Sequence, residues 1–417
     1  MVARFAGMTR QRADHRLRPE VDLLENVIQE YAWGSRTALA SLLGRPEAVR
    51  PQAELWMGAH PSAPSKVLRG GKWVSLRDVI ERAPGEELGA AVHRAFGARL
   101  PFLLKVLAAE SPLSLQAHPS AEQAKAGFAR EEAAGIPRSA PERNYRDDSS
   151  KPELLCALTE FEALCGFRAA GETLRLFQSL AVAELLPLVG ELAAHPDGGG
   201  VRAVFEGLVQ WPAARRAALL DATLAVCERL AREGGPFARE CRWAVKLGGL
   251  YPGDIGAVNS LLLNRVLLQP GQGVFLPAGK LHAYLHGMGV EIMGNSDNVL
   301  RGGLTPKHVD VPELFSVLDF RDGPVMPLSA ERGAGGEERY VTPAAEFRLS
   351  RLTVAAPACL SLKVGGPEIL LCTEGALELR GARGTLALER GQSAWVPASE
   401  GTYGVVGSGT AYRATTG

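Results

Sequence analysis

The sequence predicts a mainly β fold with an α-helical insertion, arranged as two β-barrels of related pattern plus a helical domain. Short apolar runs broken by Gly, Pro and Ser fill residues 24–167 and return after Asn264. Residues 170–263 between them are rich in Ala, Leu, Glu and Arg with helical spacing. A ten-residue pattern also occurs twice, at 270–279 and 390–399, which indicates that the two β-rich parts are related.

The elements follow in order from periodicity and turn signals. The first β-rich part contains helical patches near 76–83 and 121–134. The central part predicts helices over 173–180, 200–208, 213–232 and 238–247. Strand-sized runs then occur at 266–268, 274–276, 290–293, 352–354, 368–371, 377–379 and 385–388. Short strands separated by Gly-rich turns are typical of a sandwich or jelly roll.

These changes of composition and periodicity divide a chain that is too long for a single hydrophobic core. The expected units are a disordered tail (1–20), a metal-binding barrel in two parts (21–168 and 265–330), a helical insertion (169–264) and a C-terminal barrel without metal ligands (331–417).

Composition narrows the class of partner and the compartment. The chain carries 46 basic and 46 acidic residues without long blocks of either sign, so nucleic acid and an anionic membrane are not expected partners. The six cysteines are scattered without a CxxC pair, which suits a reducing compartment. No window approaches the roughly twenty apolar residues that cross a bilayer. We expect a soluble, cytoplasmic monomer that acts on a small molecule.

The two copies of the repeated pattern differ in one chemical respect. In the first copy His282 follows within a few residues, whereas the sequence has no histidine after His308. If a metal is bound, the first barrel therefore holds it.

Polar residues alternate with apolar ones in two predicted strands. On a strand, Ser114, Gln116 and His118 point to one face, and Lys151 and Glu153 share a side by the same period of two. Polar side chains that share one face of a strand are expected to point into the barrel interior.

His282 follows a Pro-Ala-Gly turn, and Tyr284 shares its face if the segment is extended. Gln116, His118, Glu153 and His282 together offer one amide, two imidazoles and one carboxylate. This set suits zinc, with manganese, iron or cobalt as alternatives, and the absence of Cys ligands argues against a structural zinc site.

A stretch crowded with ionisable residues and turn formers, at 291–307, completes a pattern that resembles the type I mannose-6-phosphate isomerase family of the cupin superfamily. The resemblance spans most of the chain. Its other motifs lie at 31–34, 54–61, 101–105, 114–119, 151–153 and 277–284.

The resemblance implies one zinc ion per chain, held by Gln116, His118, Glu153 and His282, and a catalytic role for Arg301. It also implies interconversion of mannose 6-phosphate and fructose 6-phosphate through an enediolate, so the expected partner is a phosphorylated hexose.

The sequence does not decide which group acts as the general base that carries the proton. A general base must come within about 3 Å of the C2 proton and have a tuned pKa. Glu291, Asp297, Lys151 and a metal-bound hydroxide are the candidates.

For the phosphate group, Lys307 and Arg301 are natural partners, because charge-assisted contacts are strong, and Lys151 and Ser114 are further candidates. Tyr284 and Trp33 are candidates for the sugar pocket. Two other functions remain open at this point: a non-catalytic sugar-phosphate-binding protein and a metal-dependent cupin oxygenase.

Overall fold

The protein, seen in a computed structural model, is described here for residues 20–333 and 336–417. Its strands pair antiparallel in two sheets of eleven strands each. Within the described residues neither strand order closes into a ring, so the predicted barrels are two open sheets. The prediction of a mainly β chain with a helical insertion is confirmed.

The strands are β1 (Asp22–Glu25), β2 (Val27–Gln29), β3 (Glu54–Met57), β4 (Lys66–Arg69), β5 (Lys72–Ser75), β6 (Phe102–Ala109), β7 (Leu115–Ala117), β8 (Glu153–Ala157), β9 (Phe161–Phe167), β10 (Leu263–Leu268), β11 (Gln272–Leu276), β12 (His282–Gly294), β13 (Leu300–Gly303), β14 (Leu328–Ser329), β15 (Glu331–Arg332), β16 (Glu337–Tyr340), β17 (Arg348–Val354), β18 (Cys359–Lys363), β19 (Glu368–Gly381), β20 (Gly384–Glu389), β21 (Ser393–Val396) and β22 (Thr402–Thr415). The α-helices are Ala38–Leu42, Leu76–Arg82, Pro84–Glu87, Ala90–Phe96, Ala121–Ala133, Ala170–Leu180, Leu186–Ala194, Gly198–Val209, Ala213–Glu233, Ala238–Leu250, Gly256–Asn259 and Val311–Val317.

Strand β12 is the centre of the first sheet. Its residues 287–294 pair with β6 on one side, and residues 289–293 also pair with β8 on the other. Its first residues pair instead with β7 and β9. The change of partners falls at Gly287, whose φ of 123° is closed to most other residues. Strand β12 therefore links strands β6 and β8 to strands β7 and β9.

The second sheet has the order β15-β16-β17-β22-β19-β21-β1-β4-β5. The N-terminal strand β1 pairs with β21, near the end of the chain, and with β4. Buried residues of both sheets belong to one apolar cluster, which includes Leu104 and Ile292 of the first sheet and Ile369 and Trp395 of the second. The predicted unit boundaries stay a prediction. Strands β1, β4 and β5, from the predicted first part, complete the sheet formed by residues 331–417.

The helical insertion lies where the composition predicts it, and all four predicted helices are present. The helix Leu186–Ala194 was not predicted, since it contains both Pro187 and Gly190, which are poor helix formers. The insertion packs on β7, β9 and β13 through one apolar cluster. Among the described residues, no helix has both the length and the apolar character to cross a membrane. The predicted disordered tail lies, except for residue 20, outside the described residues.

The repeated sequence pattern forms the same backbone structure twice. Gly271 and Gly391 both have a φ of 86°. The side-chain oxygen of Gln272 accepts the N–H of residue 269 at 2.9 Å, and that of Gln392 accepts the N–H of residue 389 at 2.8 Å. Strands β11 and β21 follow these turns, so the two β-rich parts share this turn-and-strand unit.

Candidate metal centre

His118, Glu153 and His282 lie together in the first sheet. One potential ligand atom from each lies within 4.8 Å of the others, and all three side chains are buried. Glu153 begins β8 and His282 begins β12, while His118 directly follows β7. Gln116 pairs with His282 across β7 and β12, so its position is beside the group. The structure thus brings together three predicted ligands and places the fourth in register with one of them.

Both imidazole rings are oriented by backbone carbonyls. His118 Nδ1 lies 2.8 Å from the carbonyl oxygen of Asn298, and His282 Nδ1 lies 2.8 Å from that of Lys280. Because a carbonyl can only accept, each Nδ1 carries the proton and each Nε2 presents a lone pair.

The two Nε2 atoms are buried and have no hydrogen-bond partner among the described residues. They face the carboxylate of Glu153, at 3.1 Å for His118 and 3.3 Å for His282. Lone pairs that converge on carboxylate oxygens without a proton between them fit a divalent cation. The donor set of nitrogen and oxygen without sulfur matches a catalytic zinc site.

The electrostatics keep these groups in their metal-binding forms. Burial, followed by the nearby charge of Lys151, lowers the pKa of His118 to about 4, so its ring is neutral at pH 7. Burial alone would raise the pKa of Glu153. The ammonium group of Lys151, 3.1 Å from a carboxylate oxygen, instead helps to hold that pKa well below its ordinary value.

A second buried polar group lies on the neighbouring strands. Lys105 Nζ is 3.5 Å from a carboxylate oxygen of Glu54 and 3.5 Å from one of Glu291. Trp56 Nε1 donates to Glu54 at 2.7 Å, and the Tyr284 hydroxyl donates to Glu291 at 2.9 Å. Sequence reasoning assigned no role to Lys105 or Glu54. A lysine inside the otherwise apolar β6 was a usable signal, because an ionisable residue in a buried strand needs partners.

The pKa values in this group differ strongly. Burial, reinforced by the charge of Glu153, raises the pKa of Glu291 to about 7. Burial opposes the charge of Lys105, but the carboxylates of Glu54 and Glu291 raise its pKa above the ordinary value. A charged lysine therefore lies beside a carboxyl group that titrates near neutrality.

Asp297 lies at the edge of the site. Its carboxylate is 3.4 Å from Nε2 of the buried His60, and its side chain is 45 % exposed. Burial acts to raise its pKa, but the hydrogen bond with His60 and the charge of Lys151 bring the pKa below the ordinary value. Asp297 is thus a weaker base than Glu291.

Arg301 and Lys307 have no hydrogen bond or ion pair from their side chains within residues 20–333 and 336–417. Arg301 lies on β13 opposite Gln116, which places it beside the predicted metal ligands. Lys307 is exposed, four residues beyond the end of that strand. Arg301 and Lys307 are thus two neighbouring cations without carboxylate partners among the described residues.

The other predicted substrate residues differ in exposure. Ser114 is half-buried, immediately before β7. Trp33 is half-buried and packs on an apolar cluster that also contains Tyr284. Tyr284 is 1 % exposed, and its hydroxyl contacts the carboxylates of Glu291 at 2.9 Å and Glu153 at 3.5 Å.

The antiparallel sheets and the buried histidine–carboxylate centre define a metal-dependent enzyme. Residues 22–170 match the family model "Phosphomannose isomerase type I, catalytic domain". The mannose-6-phosphate isomerase of Escherichia coli K12 is 40 % identical over 94 % of this chain and 98 % of its own length. The rat mannose-6-phosphate isomerase is 32 % identical over 92 % of this chain and 94 % of its own length. The chain belongs to the type I phosphomannose isomerase family.

Solved structures agree with this assignment. A mutant phosphomannose isomerase from Salmonella typhimurium superposes with a TM-score of 0.88 at 38 % identity, over 95 % of this chain and 99 % of that one. A zinc-bound mannose 6-phosphate isomerase gives a TM-score of 0.87 at 38 % identity, with the same coverage.

Proposed function

We infer that this chain is a metal-dependent aldose–ketose isomerase that interconverts mannose 6-phosphate and fructose 6-phosphate through a cis-enediolate. Family membership gives the reaction. The observation that carries the chemistry is the pair of buried, unpartnered Nε2 lone pairs on His118 and His282, directed at the carboxylate of Glu153. With Gln116 these residues would hold one zinc ion. The bound ion supplies Lewis-acid stabilisation of negative charge on the substrate oxygens.

The chain's own residues supply the remaining chemistry. Isomerisation moves a proton between C2 and C1 while the carbonyl group moves in the opposite direction. Arg301, beside Gln116, donates hydrogen bonds to the oxygen on which negative charge develops. Lys151 stays paired with Glu153 and offsets the negative charge of that ligand.

Glu291 is the general base that the electrostatics favour. A base works best when its pKa lies near the working pH, and the pKa of Glu291 is about 7. Asp297, with its lowered pKa, holds a proton less well. Glu291 would take the proton from C2 and return it at C1. Tyr284 and Lys105 hold the carboxylate in position by contacts at 2.9 and 3.5 Å.

The decisive experiment is an assay of mannose 6-phosphate isomerisation by the full chain, before and after chelation, with zinc added back. We expect activity that chelation abolishes and zinc restores. Phosphosugar binding without turnover would instead indicate a binding protein, and oxygen consumption would indicate an oxygenase.

Three further properties belong to the same proposal. None of the six cysteines forms a disulfide and five of them are buried, which supports a reducing, cytoplasmic location. The balanced charge supports a small-molecule partner. We also propose a monomer, with the predicted unit boundaries marking regions of one continuous molecule.

A further inference from the structure

A third cation accompanies Arg301 and Lys307, on a segment that the sequence motifs did not include. Arg146 is exposed, five residues before Lys151. Its side chain forms no hydrogen bond or ion pair with any residue in the described part of the chain. The nearest carboxylates on its own segment are engaged elsewhere. Asp147 accepts the Ser296 hydroxyl and the N–H of Asp297, each at 2.8 Å, and Asp148 lies 3.4 Å from Arg99.

Asn298 fixes this segment relative to the metal centre. The Asn298 side chain is fully buried, and its oxygen accepts the N–H of Arg146 at 2.7 Å. Its amide nitrogen donates to the carbonyl oxygens of Asp147 and Ser149 at 2.9 and 3.0 Å. The backbone carbonyl of the same residue contacts His118 Nδ1. The side chain of Asn298 therefore holds the backbone of Arg146, and the backbone carbonyl of Asn298 orients His118.

Arg146 also lies close to the two unpaired cations already described. After burial, its charge is the next cause that lowers the pKa of Arg301, and it contributes with Arg301 to the lowered pKa of Lys307. Three like charges that repel one another, without carboxylate partners, favour the binding of an anion. The charge of Arg146 also helps to lower the pKa of Asp297, whose carboxylate already contacts His60.

We propose that Arg146 and Lys307 bind the phosphate group of the substrate, which leaves Arg301, in register with the metal ligand Gln116, to act on the sugar oxygens. This assignment rests on the proposed function. It identifies a phosphate-binding residue outside the sequence motifs and divides the cations by task. The two exposed cations hold the phosphomonoester, and the half-buried arginine serves the reacting end.

The test compares Arg146→Gln with Arg146→Lys and with a matched control, Arg138→Gln. Arg138 is an exposed arginine on the same connecting segment, but it is paired with Glu132 at 3.0 Å. Each zinc-loaded full-length variant is assayed for kcat and KM with mannose 6-phosphate. Calorimetry measures its binding of inorganic phosphate, and unphosphorylated mannose at high concentration serves as the substrate without the anion.

For Arg146→Gln we expect both KM and the Kd for inorganic phosphate to rise about tenfold or more, because a charge-assisted hydrogen bond is lost. We expect kcat at saturation to stay within about threefold, since the interaction is the same in ground and transition states. Arg146→Lys should keep most of the affinity, because it keeps the charge. Arg138→Gln should match the unchanged chain, and kcat/KM for mannose should be equal in all variants.

Unchanged KM and phosphate affinity in Arg146→Gln would overturn the proposal. An equal loss of kcat/KM with mannose and with mannose 6-phosphate would also overturn it, since that result indicates a structural role. If the unchanged chain does not isomerise mannose 6-phosphate, the proposed function fails. Calorimetry with inorganic phosphate would still decide whether Arg146 belongs to an anion site.

Discussion

At the scale of single residues, each of the two ligand histidines has one ring nitrogen committed to a backbone carbonyl and the other free for a metal. We expect His282→Ala to lose bound zinc and, with it, activity by more than about 100-fold, because even the residues that orient metal ligands are worth about 10- to 100-fold. Metal analysis of the purified protein and an isomerase assay measure both effects. The matched control is His286→Ala, an exposed histidine on the same strand, which should keep both. Full activity in a zinc-free His282→Ala protein would contradict the site.

The pKa of Glu291 gives a second prediction at this scale. A carboxyl group accepts a proton only when ionised, so kcat/KM should fall as the pH decreases through the pKa of this residue. This acid limb is expected at or below pH 7, because the pKa is about 7 without a cation and a bound cation lowers it. A pH profile of kcat/KM measures this limb.

Removing that carboxylate tests the same role directly. Glu291→Gln should lose about 10²- to 10⁴-fold in kcat while it keeps its zinc, since a positioned general base contributes about that much. Metal content and kcat at pH 8 are the measurements. A glutamine variant that retains both turnover and the acid limb would show that another group carries the proton.

The sequence identified the residues of the metal centre because each lies in a short local motif. Lys105 and Glu54 also lie in such motifs, but the sequence could not show that they pair with each other, and Arg146 lies in none of the motifs. Lys105 meets Glu54 across 51 positions of sequence, and Arg146 is placed by Asn298 across 152. Contacts over such separations depend on how strands pair, which local patterns do not specify.

At the scale of elements, β12 matters most because it carries both a metal ligand and the proposed base. The sequence predicted only residues 290–293 of this strand, since Gly287 and Gly289 break its apolar pattern. Those glycines are required by close packing. An added Cβ at Gly287 would lie 2.5 Å from the carbonyl oxygen of Glu160 and 2.8 Å from the ring of Phe161.

We therefore expect Gly287→Ala to destabilise the protein by about 2–4 kcal/mol, from the strained φ and the overpacking together. It should also lower zinc affinity, because the strand that carries His282 is displaced. Chemical unfolding and zinc titration provide the measurements. Gly249→Ala is the control: this helical glycine has open space around its Cβ position, and alanine there should stabilise by about 0.5–1 kcal/mol. Equal stability of both variants would contradict the proposed bend of β12.

At the scale of the whole molecule, the N-terminal strand completes the C-terminal sheet. The repeated turn showed that the two β-rich parts are related, but the pairing of β1 with β21 joins segments more than 360 residues apart, and no periodicity indicates it. A buried ionic cluster accompanies this pairing. Arg69 bonds to Asp22 at 2.7 Å and to Glu87 at 2.5 Å, and Trp395 donates to Glu87 at 2.8 Å.

The apolar core that the two sheets share should make them unfold together, and this ionic cluster stabilises the second of them. Arg69→Met leaves two carboxylates buried without their cation, so we expect it to destabilise the protein by about 3–5 kcal/mol. The loss should appear in one cooperative transition in which tryptophan fluorescence and zinc release change together, because the apolar core is shared between the sheets. Arg77→Met is the control, since Arg77 and Glu81 form an exposed pair at 2.8 Å, and its effect should stay within about 0.5 kcal/mol. Release of zinc at a temperature well separated from the fluorescence change would instead mean that the two sheets are independent units, and that the metal centre needs only the first of them.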